Sequence, residues 1–209
     1  MKRLFVQAAV LIAGALTLVG LGAVSSILAG NTTLAGVAVE AASPDSTSAL
    51  VAMTGRLKAT EAELQRAHQI LEFSGRYRIP ADLTASIYDH AVAEGIPPAI
   101  GFQLVRIESE FKNTARSYAA AIGLTQLRLP TARSYDATIQ ASDLMNPDVN
   151  LQIGFRYLRD LLDQFNNDVA LALEAYNKGP TLVMAQRAMG EEVRGKYSRA
   201  VMMGLRKKT

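Results

Sequence analysis

From Pro80 onward the sequence is punctuated by proline and glycine at intervals of one short helix, with almost no alternation of apolar and polar residues. Proline fixes φ near the helical value and is tolerated in a first helical turn, whereas glycine takes the left-handed conformation that ends a helix. Pro80-Ala81-Asp82 opens a helix running to about Glu94, stopped by Gly95. Pro97-Pro98 opens another reaching about Phe111, and Pro130-Thr131 a short one. Asn146-Pro147-Asp148 begins a long helix to about Phe165, and Asp168 caps one that Gly179-Pro180 ends. The stretch to Leu205 has room for one or two more. The expected fold is an all-α domain of about 120 residues around one core.

The chain before this domain has a different character. Residues 4 to 30, LFVQAAVLIAGALTLVGLGAVSSILAG, contain no charge, and none appears between Arg3 and Glu40. A run of that length exceeds the roughly 20 residues needed to cross a bilayer core. It reads as a membrane anchor or a cleavable signal peptide. Length favours the anchor, although small residues such as Ala23 and Ser25 suit a signal peptidase. In both cases Lys2 and Arg3 stay in the cytoplasm and the rest is exported. Residues 31 to 47 are small, polar and almost uncharged, as in a flexible linker.

Residues 48 to 78 read as an amphipathic helix. Leu50, Met53, Leu57, Thr60, Leu64, Ala67 and Leu71 fall at alternating steps of three and four, the spacing of a coiled-coil seam. Arg56, Lys58, Glu61, Glu63 and Arg66 lie off it. Two arrangements fit: a short coiled coil joining two copies through residues 50 to 71, or a single helix packed on the domain that follows. At the other end, residues 178 to 209 carry eight Lys or Arg against two acids, a local +6 in a chain of net charge +3. The last residues, 201 to 209, read as a basic solvated tail. Aromatics are not interleaved with these cations as a single-stranded nucleic-acid groove would require, so no nucleic-acid partner is expected.

With no cysteine, the chain has no disulfide, thiol nucleophile or thiolate metal site. His68 and His90 are its only histidines, too few for a histidine-rich metal centre. Glycine-rich phosphate loops are absent. No cofactor is implied, and any chemistry must rest on carboxylates, hydroxyls or amides.

One helix draws attention on these terms. Ile100, Leu104, Ile107 and Phe111 form an apolar stripe at about 100° per residue, and Glu108 falls on its edge. Glu110 lies on the opposite side with Gln103 and Arg106, and is spaced to pair with Arg106 at i, i+4. Glu110 therefore reads as a solvated residue and Glu108 as a carboxylate pushed toward an apolar interior. Burial disfavours the charged form, so the pKa of Glu108 should rise, as a general acid near neutral pH requires. No second carboxylate shares this position. Asp136, Asp143 and Asp148 sit in loop or cap contexts.

Several short motifs follow in order: Glu108-Ser109-x-Phe111, Ala115-x-Ser117, Ala121-Ile122-Gly123-Leu124-Thr125-Gln126 and Pro130-Thr131-Ala132. Asn146-Pro147-x-x-Asn150, Gly154-x-x-Tyr157-Leu158 and Ala172-Leu173-x-Ala175-Tyr176-Asn177-x-Gly179 complete the series. The series resembles the lytic transglycosylases of the soluble-lytic (SLT) family, with their goose-type lysozyme-like fold, over about residues 80 to 185. The resemblance implies that residues 79 to 200 form the catalytic domain and Glu108 is its single acid/base. Ser117 and Gln126 then line the glycan cleft, and Tyr176 helps position the glutamate, with Asn177 in the same motif. The chain departs from the family pattern at three positions: Thr125 for the usual methionine, Lys178 for alanine and Ala120 for a common glycine. Thr125 is expected to shrink an apolar wall of the cleft.

The resemblance further implies cleavage of the β-1,4 bond between N-acetylmuramic acid and N-acetylglucosamine in peptidoglycan. The product is a 1,6-anhydro end, formed without a second protein carboxylate. A hydrolytic muramidase on the same fold, or a membrane-anchored glycan-binding scaffold, are the competing readings. The expected location is the cell envelope on the periplasmic side.

Overall fold

The computed structural model describes residues 44–193 and 195–206. Residues 4 to 30 and most of the linker therefore lie outside the described part. No described helix is long and apolar enough to cross a membrane. The chain divides into two compact units, residues 1–49 and 50–209. Of the first, only the opening turn of a helix is described.

That helix, α1 (Pro44–Tyr77), is followed by α2 (Ala81–Ala93) and α3 (Pro98–Ser109). A two-stranded antiparallel ribbon comes next, β1 (Ala121–Ile122) and β2 (Leu127–Arg128), pairing Ala121 with Arg128 and Ile122 with Leu127. Then follow α4 (Leu129–Arg133), a 3-10 turn (Asp143–Met145), α5 (Pro147–Gln164), α6 (Val169–Lys178), α7 (Pro180–Ala188) and α8 (Lys196–Arg206). The proline and glycine signals mark the boundaries of α2 to α6 to within two residues, while α1 begins at Pro44, four residues before the expected residue 48. The short ribbon has no sequence signal, because two residues per strand are too few to show an alternation.

The caps are the ones the residues dictate. Asn146 accepts from the backbone N–H groups of Asp148 and Val149, and Asp168 from those of Ala170 and Leu171. Each satisfies donors that the first helical turn leaves without partners. At the end of α3 the helix stops earlier than the apolar stripe does. Glu110 (φ 51°) and Phe111 (φ 63°) both turn left-handed. Glu110 thereby leaves the helical register and pairs with Lys112 at 3.0 Å, while Arg106 donates to Gln103 Oε1 at 3.0 Å. The expected Arg106–Glu110 pair is not made. Gln103, expected on the solvated side, is buried and donates to Tyr77 Oη at 2.6 Å and the Gly204 carbonyl at 3.2 Å.

The main core lies where α2, α3, α5, α6 and α8 meet, with Ile87, Phe102, Leu104, Leu151, Phe155, Leu158, Leu173 and Val201 fully enclosed. Gly101 lets α3 approach closely: a Cβ there would lie 3.1 Å from the Phe155 ring and 3.2 Å from Ala91. A smaller core under the ribbon gathers Ile122, Leu127, Ala132, Ile139, Leu144 and Ile153. Tyr157 packs against both. Residues 201 to 206 are the last turns of α8 and not a free tail, since Val201 is fully buried.

Only the end of α1 touches this domain. Phe73 stacks on Phe102 at 4.2 Å between centroids, Tyr77 stacks on the same ring, and Arg66 makes a two-point ion pair with Asp89. Leu50, Met53, Leu57, Leu64 and Leu71 are all more than half exposed. The seam is therefore not the face that packs on the domain.

Candidate active site

Glu108 sits in the last turn of α3, at the floor of a cleft of about 390 Å³. Ser117, Gln126, Tyr176 and Asn177 line the same cleft, together with Arg128, Thr131, Tyr157 and Lys178. All five residues singled out by sequence thus come together around one cavity. Among the described residues lining it, Glu108 is the only acid.

Each wall is held in place by its own hydrogen bonds. Ser109, beside Glu108, shares its hydroxyl proton between the carbonyls of Val105 (3.1 Å) and Leu124 (2.8 Å), tying the end of α3 to the turn between β1 and β2. The Ser117 hydroxyl accepts from the Ala121 N–H at 3.1 Å, and the Ser117 N–H donates to the Ala121 carbonyl at 3.0 Å. Gln126 donates through its amide to the carbonyls of Ala115 (3.2 Å) and Gly123 (3.0 Å). Ala120 adopts φ 58°. Glycine reaches that conformation freely, whereas an alanine there carries a cost of about 1 kcal/mol.

Below this wall is a buried polar knot. Asn150, fully enclosed, donates to the carbonyls of Ile122 and Leu144, each at 2.9 Å. Its Oδ1 accepts from both the backbone N–H and the hydroxyl of Thr125, each at 2.8 Å. Thr125 is completely buried and does not line the cleft. Its hydroxyl needs an acceptor, and Asn150 holds it inward. Gly154 supplies the room: a Cβ there would fall 2.2 Å from Thr125 Oγ1. The Thr125 carbonyl accepts from the Tyr176 hydroxyl at 2.9 Å, and the Tyr176 ring leans on Tyr157 at 5.1 Å.

The hydroxyl bonded to Glu108 belongs to another tyrosine. Tyr197, in the first turn of α8, donates to Glu108 Oε1. Burial raises the pKa of Glu108, and the Tyr197 bond partly opposes that rise. Burial and the nearby Glu108 charge push Tyr197 far above the ordinary tyrosine range, and they do the same to Tyr176. Both phenols therefore remain protonated donors.

Tyr197 is positioned by a second carboxylate. Glu174, on α6, is fully buried, and its Oε1 accepts from the N–H groups of Gly195 (2.8 Å) and Ser198 (2.9 Å) at the start of α8. Its Oε2 lies 2.8 Å from Lys178 Nζ. Burial alone would raise the pKa of Glu174; the bonds from Lys178 and Ser198 outweigh it and hold the group below the ordinary range. A carboxylate at the N-terminus of a helix also meets the positive end of the helix dipole. Glu174 and Lys178 occupy the two variable positions of the Ala-Leu-x-Ala-Tyr-Asn-x-Gly motif, one helical turn apart. That spacing was the available signal for them. Tyr197 had none, lying beyond the matched motifs.

A larger cavity of about 480 Å³ lies elsewhere, lined by Glu94, Asp136, Asp143 and Arg156 among others. Its carboxylates have partners: Asp136 with Thr138, Asp143 with the Gln140 N–H, and Glu94 with Arg156 at 3.9 Å. The bonds from Thr138 hold Asp136 below the ordinary carboxylate range. No cluster of potential metal ligands occurs among the described residues.

The model of the transglycosylase SLT domain matches residues 86–197, a span that runs from α2 to Tyr197. The chain is 31% identical over 91 residues to the soluble lytic murein transglycosylase of Escherichia coli K12, covering 41% of this chain and 14% of that protein. It is also 31% identical over 104 residues to membrane-bound lytic murein transglycosylase C of Actinobacillus pleuropneumoniae serotype 5b, covering 43% and 28%. The chain thus spans well under a third of the length of these curated relatives. Among solved structures, an inactive mutant of the lytic transglycosylase Slt from Pseudomonas aeruginosa superposes with a TM-score of 0.51 at 30% identity. That match covers 57% of this chain and 22% of the other. The helical domain has the lysozyme-like fold expected, and the chain belongs to the transglycosylase SLT domain family.

Proposed function

We propose that this chain is a peptidoglycan lytic transglycosylase whose single acid/base is Glu108. The observation that carries the reading is a cleft with one carboxyl group, raised in pKa by burial and bonded to a tyrosine that stays protonated. Most glycosidases place two carboxylates about the scissile bond. Here the substrate supplies what the second would do. Protonated Glu108 donates to the glycosidic oxygen as the bond from C1 of N-acetylmuramic acid breaks, and the carbonyl oxygen of the sugar's own acetamido group closes on C1. Glu108, now a carboxylate, takes the proton of the C6 hydroxyl; O6 attacks C1 and releases the acetamido oxygen. The result is a 1,6-anhydro ring, with no water consumed and Glu108 again protonated.

Ser117, Gln126 and Asn177 are assigned to glycan binding along the cleft. Tyr176 is assigned to the wall, its ring toward the sugar and its hydroxyl on Thr125. The charge-free run of residues 4 to 30 supports export and anchoring in the inner membrane, with the domain on the periplasmic side.

Mass spectrometry of peptidoglycan digested by the full-length chain tests this. Anhydromuropeptides are expected; reducing-end products in their place would make the protein a hydrolytic muramidase. Glu108→Gln should abolish release of both, and undiminished lysis by that variant would remove Glu108 from the mechanism.

A further inference from the structure

The exposed seam on α1 points to a partner. Residues 50 to 68 of this helix are exposed without interruption. Helices of this size draw most of their stability in proteins from packing an apolar face, so a leucine row left in water is unusual. Every first position of the heptad is leucine: Leu50, Leu57, Leu64 and Leu71, with exposures of 56% to 70%. The residues that pack on the domain, Ile70, Phe73 and Tyr77, lie about 130° around the helix from that row at 100° per residue. Both faces can be occupied at once.

We propose that residues 50 to 71 form a parallel, in-register, two-stranded coiled coil with a second copy of this chain. Charge selects this occupant and this orientation. With leucine at position a, the flanking g and e positions are Arg56 and Glu63, and Glu61 and His68. In a parallel pair each g residue faces the e residue five positions on in the partner. Arg56 then meets Glu61 of the other copy, and Glu63 meets His68. A fully overlapped antiparallel pair instead sets Glu61 against Glu61 and Glu63 against Glu63, which is repulsive. Sliding that pair by one heptad relieves the repulsion but removes Leu71 from the seam. The small residues Thr60 and Ala67 at position d let the parallel helices approach closely.

Because the chain has no cysteine, a single introduced thiol reports the geometry directly. In the full-length chain, Thr60→Cys should oxidise to a covalent dimer, whereas Ala62→Cys, on the far side of the helix, should not. Adding Leu57→Glu and Leu64→Glu to Thr60→Cys should abolish the cross-link; these exposed positions leave the domain intact, as its circular dichroism would show. Equal cross-linking at Thr60→Cys and Ala62→Cys, or none at either, would overturn the proposal. Cross-linking only in a mixture of Thr60→Cys and Leu64→Cys copies would also overturn it, by showing an antiparallel pair.

Discussion

Replacing Tyr197 by phenylalanine removes one hydroxyl and keeps the ring that packs against the core. The lost interaction is a hydrogen bond to Glu108 Oε1, which lowers the glutamate's pKa against the rise caused by burial. A hydrogen bond to a charged group is worth about 1.5–3 kcal/mol, and about 1.4 kcal/mol corresponds to one pKa unit. The pKa of Glu108 should therefore rise further in Tyr197→Phe. Glu108 acts first as an acid, so activity falls as pH rises through this pKa. The basic limb of kcat/KM should consequently move to higher pH. The bond also strengthens as Glu108 loses its proton in the transition state, so its removal should lower kcat at the plateau by roughly 10- to 100-fold. The assay is the initial rate of turbidity loss of purified peptidoglycan from pH 4 to 9. Tyr176→Phe is the control: its hydroxyl serves the Thr125 carbonyl, so the limb should stay where it is. A basic limb unmoved or shifted downward in Tyr197→Phe would refute the role given to this hydroxyl.

Two further outcomes follow from the supports of the cleft. Asn150→Ala leaves two carbonyls and one N–H without this partner in the buried knot, and leaves the Thr125 hydroxyl only the backbone carbonyl of residue 150 at 3.3 Å, so a loss of about 3–5 kcal/mol is expected. Thermal unfolding should show this as a midpoint lowered by roughly 10 °C. Gly195→Ala would bring a Cβ to 2.6–2.8 Å from the carboxylate of Glu174, which is buried, hydrogen-bonded through Oε1 and ion-paired with Lys178 through Oε2. The start of α8 must yield, carrying Tyr197 away from Glu108. A fall in kcat of at least tenfold, with circular dichroism unchanged and the basic limb shifted in the direction of Tyr197→Phe, is the expected result.

Much of the site was legible because its signals are local. Glu108 shows its environment through the apolar stripe of its own helix, and the helices show their ends through proline, glycine and capping residues. Arg106 and Glu110 were misread for a reason just as local: the left-handed turn at Glu110 ends the periodicity one residue before the pair could form. The inward turn of Thr125 was not legible because side-chain direction in a loop has no period. Only Asn150, 25 residues away, decides that its hydroxyl points inward. The hydroxyl of Tyr176 is bonded to the Thr125 carbonyl, and the one that reaches Glu108 is that of Tyr197, 89 residues away in the chain.

The amino-acid sequence by itself determined the all-α class, the boundaries of α2 to α6, the charge-free run of residues 4 to 30 and the single carboxylate edging an apolar stripe. These depend on residue type and on spacing within one or two turns. Tertiary structure decided which hydroxyl reaches that carboxylate, which buried acid fixes the start of α8, and which face of α1 remains uncovered. Those outcomes depend on how separate helices pack, and a buried polar group takes whichever partner that packing brings within reach.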